Sequence, residues 1–289
     1  MTTPLKNIAA SIRARLLNLS RETGQSFQEL VQYFAMTRFL YRLAESSVSS
    51  QFILKGAMLL HAMEITQARS TLDIDLLGQT SNSPESIMAT IKFVIAQAVE
   101  ADGLEFIEST IVISDITKDG DYFGRRVKFK ALLGKIEIPM QIDIGFGDSV
   151  VPDPVEINTP TMLNYPAGVL RGYAIETSVA EKAQAMFQLE LMNSRMKDFY
   201  DIWLLSRGDY LNGADLVRAL VATFGKRGLE IEMDSIIFTE EFTRHPDKQT
   251  QWAAFCRKRG IEGAPEKFAD VAGEVLGFLR PHLQQAKQK

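Results

Sequence analysis

The hydrophobic residues of this chain change their spacing twice along its length, and these changes restrict the fold more than any other feature. Between residues 26 and 46, apolar residues recur at about 3.6-residue intervals, which predicts a helix that Ser26 and Glu29 begin as a capping box. Between residues 104 and 147, apolar and polar residues alternate, which predicts three successive strands. From about residue 174 to the end, the pattern is helical again.

Shorter segments complete the outline. The sequence predicts a helix over residues 5–19 and then a short strand at 52–54, which a Lys-Gly turn connects to a short helix. These are followed by the strand LDIDLLG, which ends at Gly78, and by a helix from Ser83 to near Gly103. Together these elements predict an α+β fold with a mixed, mostly antiparallel sheet, flanking helices and a helical C-terminal region. We expect two domains. Residues 1–165 contain the N-terminal helices and the α/β core, and residues 166–289 form a helical domain that contributes to the functional site.

Composition and hydropathy exclude several classes of protein. Hydrophobic residues make up 46% and charged residues 24% of the chain, as in an ordinary soluble globular protein. The single cysteine, Cys256, excludes an internal disulfide framework. The N-terminal segment lacks the uninterrupted apolar core of a signal peptide, and no apolar run is long enough to cross a bilayer. We therefore expect a cytoplasmic protein with no membrane partner.

The net charge of −4 is unevenly distributed along the chain. Residues 46–190 carry eleven Lys and Arg against nineteen Asp and Glu, whereas residues 1–45 carry six against three and residues 191–289 carry fifteen against fourteen. The acidic excess therefore belongs to the middle of the chain. An acidic centre suits a divalent cation, and basic flanks suit phosphate groups.

Three aspartates lie on strand faces that the alternation makes polar. In RSTLDIDLLG, residues 69–78, Asp73 and Asp75 are two positions apart, so their carboxylates leave the strand on the same side. In QIDIGF, Asp143 lies on the polar side of a strand whose other side is apolar. If these strands are neighbours, the three carboxylates converge and offer the hard oxygen ligands that Mg²⁺ prefers. They can hold two ions about 4 Å apart, the arrangement used for phosphoryl and nucleotidyl displacement. The alternative is a half-exposed strand whose polar side faces water.

Gly56 and Lys182 are further candidates for a site. In FILKGAMLL, Gly56 lies at a strand-to-helix turn, where a glycine lets backbone amides approach a phosphate. In the helical half, Lys182 borders an apolar stripe, and Asp198 and Asp201 share a helix face because they are three positions apart. These three charged residues either contribute to a site or form an ordinary ion pair between helices.

One predicted strand carries a basic side. In RRVKFKALL, Arg126, Lys128 and Lys130 point one way, and the residues between them point the other. If this strand adjoins the one that carries Asp143, a basic stripe runs beside an acidic metal site. We hypothesise that the stripe binds the incoming triphosphate or an RNA backbone. The alternative is a basic strand face exposed to solvent.

In their order and spacing, these motifs resemble those of one family. FILKGAMLL and STLDIDLLG match its glycine turn and D-x-D strand. YFGRRVKFKALLG and IPMQIDIGFGD match its next strands, and YAIETSVAEKAQAM and NSRMKDFYDIWLL match its helical Glu-Lys and Lys-Asp-x-x-Asp motifs. The chain thus resembles the AbiEii/AbiGii-type nucleotidyltransferase toxins, relatives of the MenT toxins in the DNA polymerase β-like superfamily. The resemblance covers roughly residues 50–206.

This resemblance implies a nucleotidyltransferase-type fold and a toxin of a type IV toxin–antitoxin or abortive-infection system. Such an enzyme transfers nucleotides from an NTP to an RNA acceptor. The MenT relatives use the 3′ end of tRNA, which blocks aminoacylation and therefore translation and growth. The implied cofactor is Mg²⁺, or alternatively Mn²⁺. The implied partners are NTP, tRNA and a cognate antitoxin protein that acts without a stable complex.

The resemblance also implies roles for the matched residues. Asp73 and Asp75 would bind the metal, and Asp143 would be a third ligand that deprotonates or orients the attacking hydroxyl. Lys182 would hold the triphosphate, and Asp198 or Asp201 would complete the site or position that lysine. The predicted nucleotide-binding residues are Lys55, Gly56, Arg69, Thr71 and Lys182.

The chain departs from the superfamily after its glycine turn. Many members have Gly-Ser or Gly-Gly-Thr where this chain has Gly56-Ala57-Met58. No hydroxyl follows Gly56, so only backbone amides remain there for a phosphate.

Three other functions also use some of these residues. A D-x-D glycosyltransferase would leave Asp143 and the Lys-Asp-x-x-Asp motif without a role. A haloacid-dehalogenase-type phosphatase requires a long apolar strand directly before its D-x-D, and RSTL is not one. A catalytically silent nucleotide- or RNA-binding module is the third alternative. The intact set of three mutually repelling carboxylates argues against it.

Overall fold

A computed structural model describes residues 7–65, 67–118 and 122–289 of the chain. These residues form two compact units. The first contains the residues up to Ile65, Ser70–Gly147 and Glu156–Gly172, and the second contains the segment ending at Arg69, Asp148–Val155 and Tyr173–Lys289. The division into functional domains after residue 165 stays a prediction.

The first unit combines helices with a sheet. Its elements are α1 (Ile8–Thr23), α2 (Phe27–Ala44), β1 (Phe52–Lys55), α3 (Gly56–Ala62), β2 (Ile74–Gly78), α4 (Pro84–Ile95), β3 (Leu104–Lys118), β4 (Tyr122–Leu133), β5 (Ile136–Phe146), β6 (Val155–Asn158) and β7 (Val169–Gly172).

Within the described ranges the strands form one sheet in the order β3-β4-β5-β2-β1-β7-β6. The neighbours β3, β4 and β5 pair antiparallel, as do β1 and β2. In contrast, β2 is parallel to β5 and β1 is parallel to β7. The predicted mixed, mostly antiparallel sheet with flanking helices is therefore confirmed.

The alternation in β4 and β5 separates a core side from a polar side, as predicted. Val127 and Ile142 are fully buried and Phe129 is 3% exposed. Lys128 is exposed and Asp143 is half-buried on the other side. Because side chains alternate along a strand, burying one side of each strand fixes which residues its polar side presents.

Two local predictions in this unit are wrong. Ser26 does precede α2, but its side chain makes no capping hydrogen bond. The helix expected to continue to near Gly103 ends at Ile95. Gly103, which immediately precedes β3, has a φ of +70°, in the left-handed region. The preceding residue, Asp102, is fixed by long-range ion pairs.

Asp102 joins α2 to the start of β3 through a buried ion cluster. Arg38 Nε donates to Asp102 Oδ2 at 2.8 Å, and Arg42 Nη1 donates to the same oxygen at 2.7 Å. The side chains of Arg38, Arg42 and Asp102 are 1%, 7% and 2% exposed. A carboxylate this deeply buried is tolerated because two guanidinium groups neutralise and bind it.

The second unit is helical, which confirms the prediction for the C-terminal region. Its helices are α5 (Ile175–Leu189), α6 (Met196–Ser206), α7 (Gly213–Lys226), α8 (Glu240–Thr243), α9 (Pro246–Arg259) and α10 (Phe268–Lys287). Aromatic side chains form part of its core, with the ring of Phe268 at 5.0 Å from Phe199 and 6.3 Å from Trp252. Across the described residues of both units, none of the helices combines the length and hydropathy that a membrane span requires.

We predict that Asp102→Asn lowers the free energy of unfolding by about 3–5 kcal/mol, because it leaves two buried guanidinium groups without a counter-charge. Glu108→Gln is the matched control. It breaks an exposed ion pair with Lys92 (2.8 Å) and should change the free energy of unfolding by less than about 1 kcal/mol. Urea denaturation of both variants measures the difference. Equal small losses would contradict the proposed importance of the buried cluster.

The contribution of Asp102 should also depend on pH. Burial favours the neutral acid, but the hydrogen bonds and charges of Arg42 and Arg38 outweigh burial, so the pKa of Asp102 lies below its ordinary value. Such a group stabilises the fold fully above its unfolded-state pKa of about 4, and the stabilisation is lost as the pH falls through the folded-state pKa. The difference in the free energy of unfolding between wild type and Asp102→Asn should therefore be largest at pH 7 and decrease as the pH falls. A gap that stays constant into strong acid would contradict this assignment.

Candidate active site

Asp73, Asp75 and Asp143 lie together in the first unit because of the strand register. The parallel pairing of β2 and β5 places Asp75 directly opposite Asp143, and Asp73 immediately precedes β2. One carboxylate oxygen of each residue lies within 4.8 Å of the others, and all three side chains are half-buried. The predicted convergence of these carboxylates is confirmed, whereas their catalytic roles stay predictions.

The three side chains fit a divalent cation. Carboxylate oxygens are the hard ligands that Mg²⁺ and Mn²⁺ accept, and partial exposure leaves room for water or phosphate oxygens to complete a coordination shell. Three carboxylates this close repel one another unless positive charge lies nearby. The donor set therefore suits a bound cation, and the group needs positive charge nearby.

Thr71 positions Asp73. Its hydroxyl donates to Asp73 Oδ1 at 2.6 Å, and Thr71 itself is 5% exposed. A buried hydroxyl that bonds a carboxylate oxygen restricts the rotation of that carboxylate and leaves its second oxygen for another partner. This contact identifies Thr71 as a residue that orients a candidate metal ligand. Its predicted contact with the nucleotide stays a prediction.

Gly56 leaves room for Asp75. It is the first residue of α3, with a φ of +69°, and a Cβ built there would lie 2.0 Å from Asp75 Oδ2. Glycine is therefore required both by the backbone conformation and by the space that Asp75 occupies. The next two residues, Ala57 and Met58, are each 1% exposed, so the positions where relatives carry hydroxyls belong here to the hydrophobic core.

Arg126 neutralises part of this acidic group. In the β4–β5 register it lies opposite Asp143, and its Nε and Nη2 donate to the two carboxylate oxygens at 2.8 and 2.7 Å. The hydrogen bond to Asp143, helped by the charges of Asp73 and Asp75, raises the pKa of the Arg126 guanidinium above its ordinary value. The predicted proximity of the basic stripe to Asp143 is confirmed. In this structure, however, Arg126 is bound to the carboxylate itself.

The other basic residues on these strands have different surroundings. Lys128 is exposed and lies opposite Gln141, whereas Lys130 Nζ donates to Glu137 at 2.7 Å. Lys55 lies opposite Asp75 across the antiparallel β1–β2 pair. The expected binding of phosphate or RNA by these lysines stays a prediction.

A second cluster of charges belongs to the helical unit. Asp201 accepts from Arg69 Nε at 3.1 Å and from Arg69 Nη2 at 3.3 Å, and Lys182 Nζ lies 3.4 Å from its second oxygen. Asp198 lies 2.6 Å from Arg195 Nε and 4.0 Å from Lys182 Nζ. Lys182 therefore forms ion pairs with these aspartates, as in one of the two alternatives that the sequence left open, and the pairing connects α5 with α6.

Burial distinguishes the aspartates of this cluster from their partners. The side chains of Asp198 and Asp201 are 0% exposed, whereas Lys182 is 12% and Arg195 is 32% exposed. Burial opposes ionisation of Asp198, but the charges of Arg195 and Lys182 outweigh it and hold its pKa below the ordinary value. Both aspartates therefore serve here to fix the positions of cationic side chains.

Sequence reasoning missed two of these contacts. Arg195 was not singled out, although its spacing of three residues from Asp198 was a usable signal, since such residues are neighbours on a helix. Arg69 was expected to bind nucleotide, but its bidentate bond to Asp201 joins residues 132 positions apart. No local pattern predicts a contact over that separation.

The comparison with known families identifies the chain. A family model described as nucleotidyl transferase AbiEii toxin, type IV toxin–antitoxin system, matches residues 38–274. The chain belongs to the AbiEii family. The predicted family and general type of enzyme, a nucleotidyltransferase toxin, are thereby confirmed.

Two solved structures share the fold of this AbiEii family member. One is a protein from H. pylori provisionally named a nucleotidyltransferase, with a TM-score of 0.52, 17% identity and coverage of 91% of this chain and 96% of the other. The second is JHP933 from Helicobacter pylori, with a TM-score of 0.52, 18% identity and coverage of 91% and 93%. At these identities the likeness concerns the fold alone. No curated protein matches the sequence significantly.

We predict that Gly56→Ala disturbs the carboxylate group, because the new Cβ must displace Asp75. The strained φ and the collision together should lower the free energy of unfolding by about 2–4 kcal/mol. Mn²⁺ affinity, measured by electron paramagnetic resonance, should fall by about tenfold or more, since one ligand leaves its position.

Gly24→Ala is the control for this prediction. Gly24 has nearly the same φ, +72°, but a Cβ there meets nothing within 4 Å. Gly24→Ala should therefore lower the free energy of unfolding by only about 1 kcal/mol, from backbone strain, and should leave the Mn²⁺ affinity unchanged. Parallel behaviour of the two variants would mean that the contact with Asp75 is unimportant.

We also predict that Arg126→Gln binds Mn²⁺ more tightly than wild type, by about tenfold, because a competing positive charge leaves Asp143. Lys128→Gln, on the same side of the same strand, should change the affinity much less. Isothermal titration with Mn²⁺ provides the readout. Weaker binding by Arg126→Gln would show that Arg126 supports the cation site and does not compete with it.

Proposed function

We propose that this AbiEii family member is a metal-dependent nucleotidyltransferase toxin that transfers nucleotides from an NTP to the 3′ end of tRNA. A tRNA whose acceptor end is extended in this way could not be aminoacylated, which would block translation and growth. The carboxylates of Asp73, Asp75 and Asp143, within 4.8 Å of one another, are the single observation that supports this proposal most. A domain that only bound nucleotide would have no need of three mutually repelling groups.

In this proposal Asp73 and Asp75 hold Mg²⁺, or alternatively Mn²⁺, with Asp143 as a third ligand. Bound metal would neutralise charge on the triphosphate and lower the pKa of the acceptor hydroxyl. Thr71 keeps the Asp73 carboxylate in orientation, and Gly56 leaves the space that Asp75 needs.

The chemical step follows from these positions. The acceptor hydroxyl oxygen bonds to the α-phosphorus of the NTP, the bond from that phosphorus to the bridging oxygen breaks, and pyrophosphate leaves. Asp143 orients the hydroxyl or accepts its proton. Arg126 must release at least one oxygen of Asp143 for this role, and the freed guanidinium is then available to a phosphate group.

The helical unit supplies Lys182 in this proposal. Lys182 would bind the triphosphate, while the buried Asp198 and Asp201 hold it and the neighbouring arginines in place. Gly56, Lys55 and Arg69 are proposed nucleotide contacts. Lys128 and Lys130 are proposed contacts to phosphate or to the RNA backbone.

Membership of a type IV toxin family supports a cognate antitoxin as the biological partner. We propose that it is a protein that opposes the toxin without a stable complex, and that both proteins act in the cytoplasm, where tRNA is present.

We predict that purified protein transfers label from at least one α-labelled NTP to total tRNA in the presence of Mg²⁺. Asp75→Ala should reduce the rate by about a thousandfold or more, since it removes a proposed metal ligand. Electrophoresis of the labelled RNA measures the transfer. The control Glu105→Ala removes an exposed carboxylate from β3, outside the proposed site, and should leave the rate unchanged.

Asp75→Ala should keep the fold intact or slightly stabilise it, because one of three repelling charges is removed. Its expression in cells should no longer arrest growth. Transfer that Asp75→Ala retains would refute the proposed role of Asp75. Absence of transfer with every NTP would favour the silent binding module.

A further inference from the structure

The second unit contains a basic cavity, and Arg69 is the one lining residue to which the proposed function gives a role. Its volume is about 470 Å³, within the usual range of ligand-binding pockets. It lies between the start of α6 and the C-terminal half of α9. The lining residues that carry the argument are Arg69, Arg195, Lys197, Phe255, Lys258 and Arg259.

The charge of this cavity is of one sign. Five of its lining residues are Arg or Lys, and no Asp or Glu is among the described residues that line it. Arg69 and Arg195 are already paired with the buried Asp201 and Asp198. Lys197, Lys258 and Arg259 form no ion pair with any residue in the described part of the chain.

Lys197 acts at longer range on the buried Asp198, and Lys258 and Arg259 have no such carboxylate among the described residues. Three cations outside ion pairs around one cavity favour an anionic ligand that offers several negative groups at once. Their spread over two helices argues for an extended anion with spaced charges, since a single small anion would reach only some of them. A chain of phosphates has this character.

Phe255 adds a surface for a planar group. Phe255 is partly exposed in the cavity. Its ring packs against the rings of Trp252 and Tyr200, with centroid distances of 5.6 and 5.9 Å. Both supporting rings belong to buried residues. Proteins that bind single-stranded nucleic acids use such rings, fixed in position and flanked by cations, as surfaces on which bases stack.

We infer that this cavity binds single-stranded RNA, with backbone phosphates on Lys197, Lys258 and Arg259 and one base stacked on Phe255. The choice of RNA as the polyanion rests on the proposed function, in which the acceptor is the single-stranded 3′ end of tRNA. The cavity is then the part of the helical unit that holds the acceptor strand.

The test measures the binding of a fluorescein-labelled single-stranded RNA 12-mer by anisotropy, in EDTA and without NTP, over a series of KCl concentrations. The double variant Lys258→Ala/Arg259→Ala should bind more weakly and lower the slope of log affinity against log salt by about 1.4, or about 0.7 for each lost phosphate contact. Phe255→Leu should weaken binding by about tenfold with an unchanged slope, because only stacking is lost.

Arg257→Ala/Lys287→Ala is the matched control. It removes the same net charge from the last turns of α9 and α10, and both residues are exposed and outside the cavity. Equal salt slopes for the two double variants would overturn the inference, since the effect would then follow from net charge alone. Unchanged RNA binding by the cavity variants, together with weaker binding of free NTP, would assign the cavity to the nucleotide and would also overturn it.

This test does not depend on the chemical step, because EDTA and the absence of NTP prevent transfer. Loss of label transfer with RNA binding still dependent on the cavity would refute the proposed function alone. Label transfer with RNA binding independent of the cavity would refute the inference alone. Thermal unfolding of each variant checks that the fold is retained.

Discussion

The mutual repulsion of three carboxylates within 4.8 Å is the constraint around which the first unit is organised. Adjacent parallel strands bring Asp75 opposite Asp143, and the next antiparallel strand brings Arg126 opposite Asp143. The same register that concentrates the negative charge therefore also supplies the neutralising positive charge. The buried, apolar sides of these strands make a shift by one residue prohibitively unfavourable, because it would turn every side chain to the opposite face.

Strand positions and strand faces were predictable from the sequence because they depend on short-range alternation. The two-residue period correctly separated Val127 and Phe129 from Arg126 and Lys128. The family resemblance then implied that Asp143 joins Asp73 and Asp75 as a third ligand, which no local pattern indicates. Helix starts were also well predicted, and Ser83 does cap α4 through a hydrogen bond from the Ser86 amide.

What the sequence did not predict depends on contacts between distant residues. Asp102, just before β3, is bound by arginines of α2 that lie about sixty residues away along the chain. The sequence predicted that Arg126 lies near Asp143 but not that the two side chains bind each other. A basic side chain beside a carboxylate can bind either that carboxylate or a ligand. The basic cavity was equally hidden, since Lys197 and Lys258, which both line it, are 61 positions apart along the chain. Only the Arg-Lys-Arg run at 257–259 was visible, and it is typical of any solvated surface.

The bond of Arg126 to both oxygens of Asp143 bears on which form of the cation the proposed site would accept. A bare divalent ion must displace the guanidinium and leave it without a counter-anion beside a second positive charge. An ion that arrives already chelated by a triphosphate brings anionic oxygens that can receive the displaced guanidinium. In the proposed function, the resting protein would therefore favour the metal–nucleotide chelate over the free ion. The occupancy of the proposed cation site should then follow the cellular supply of nucleotide more closely than the supply of metal.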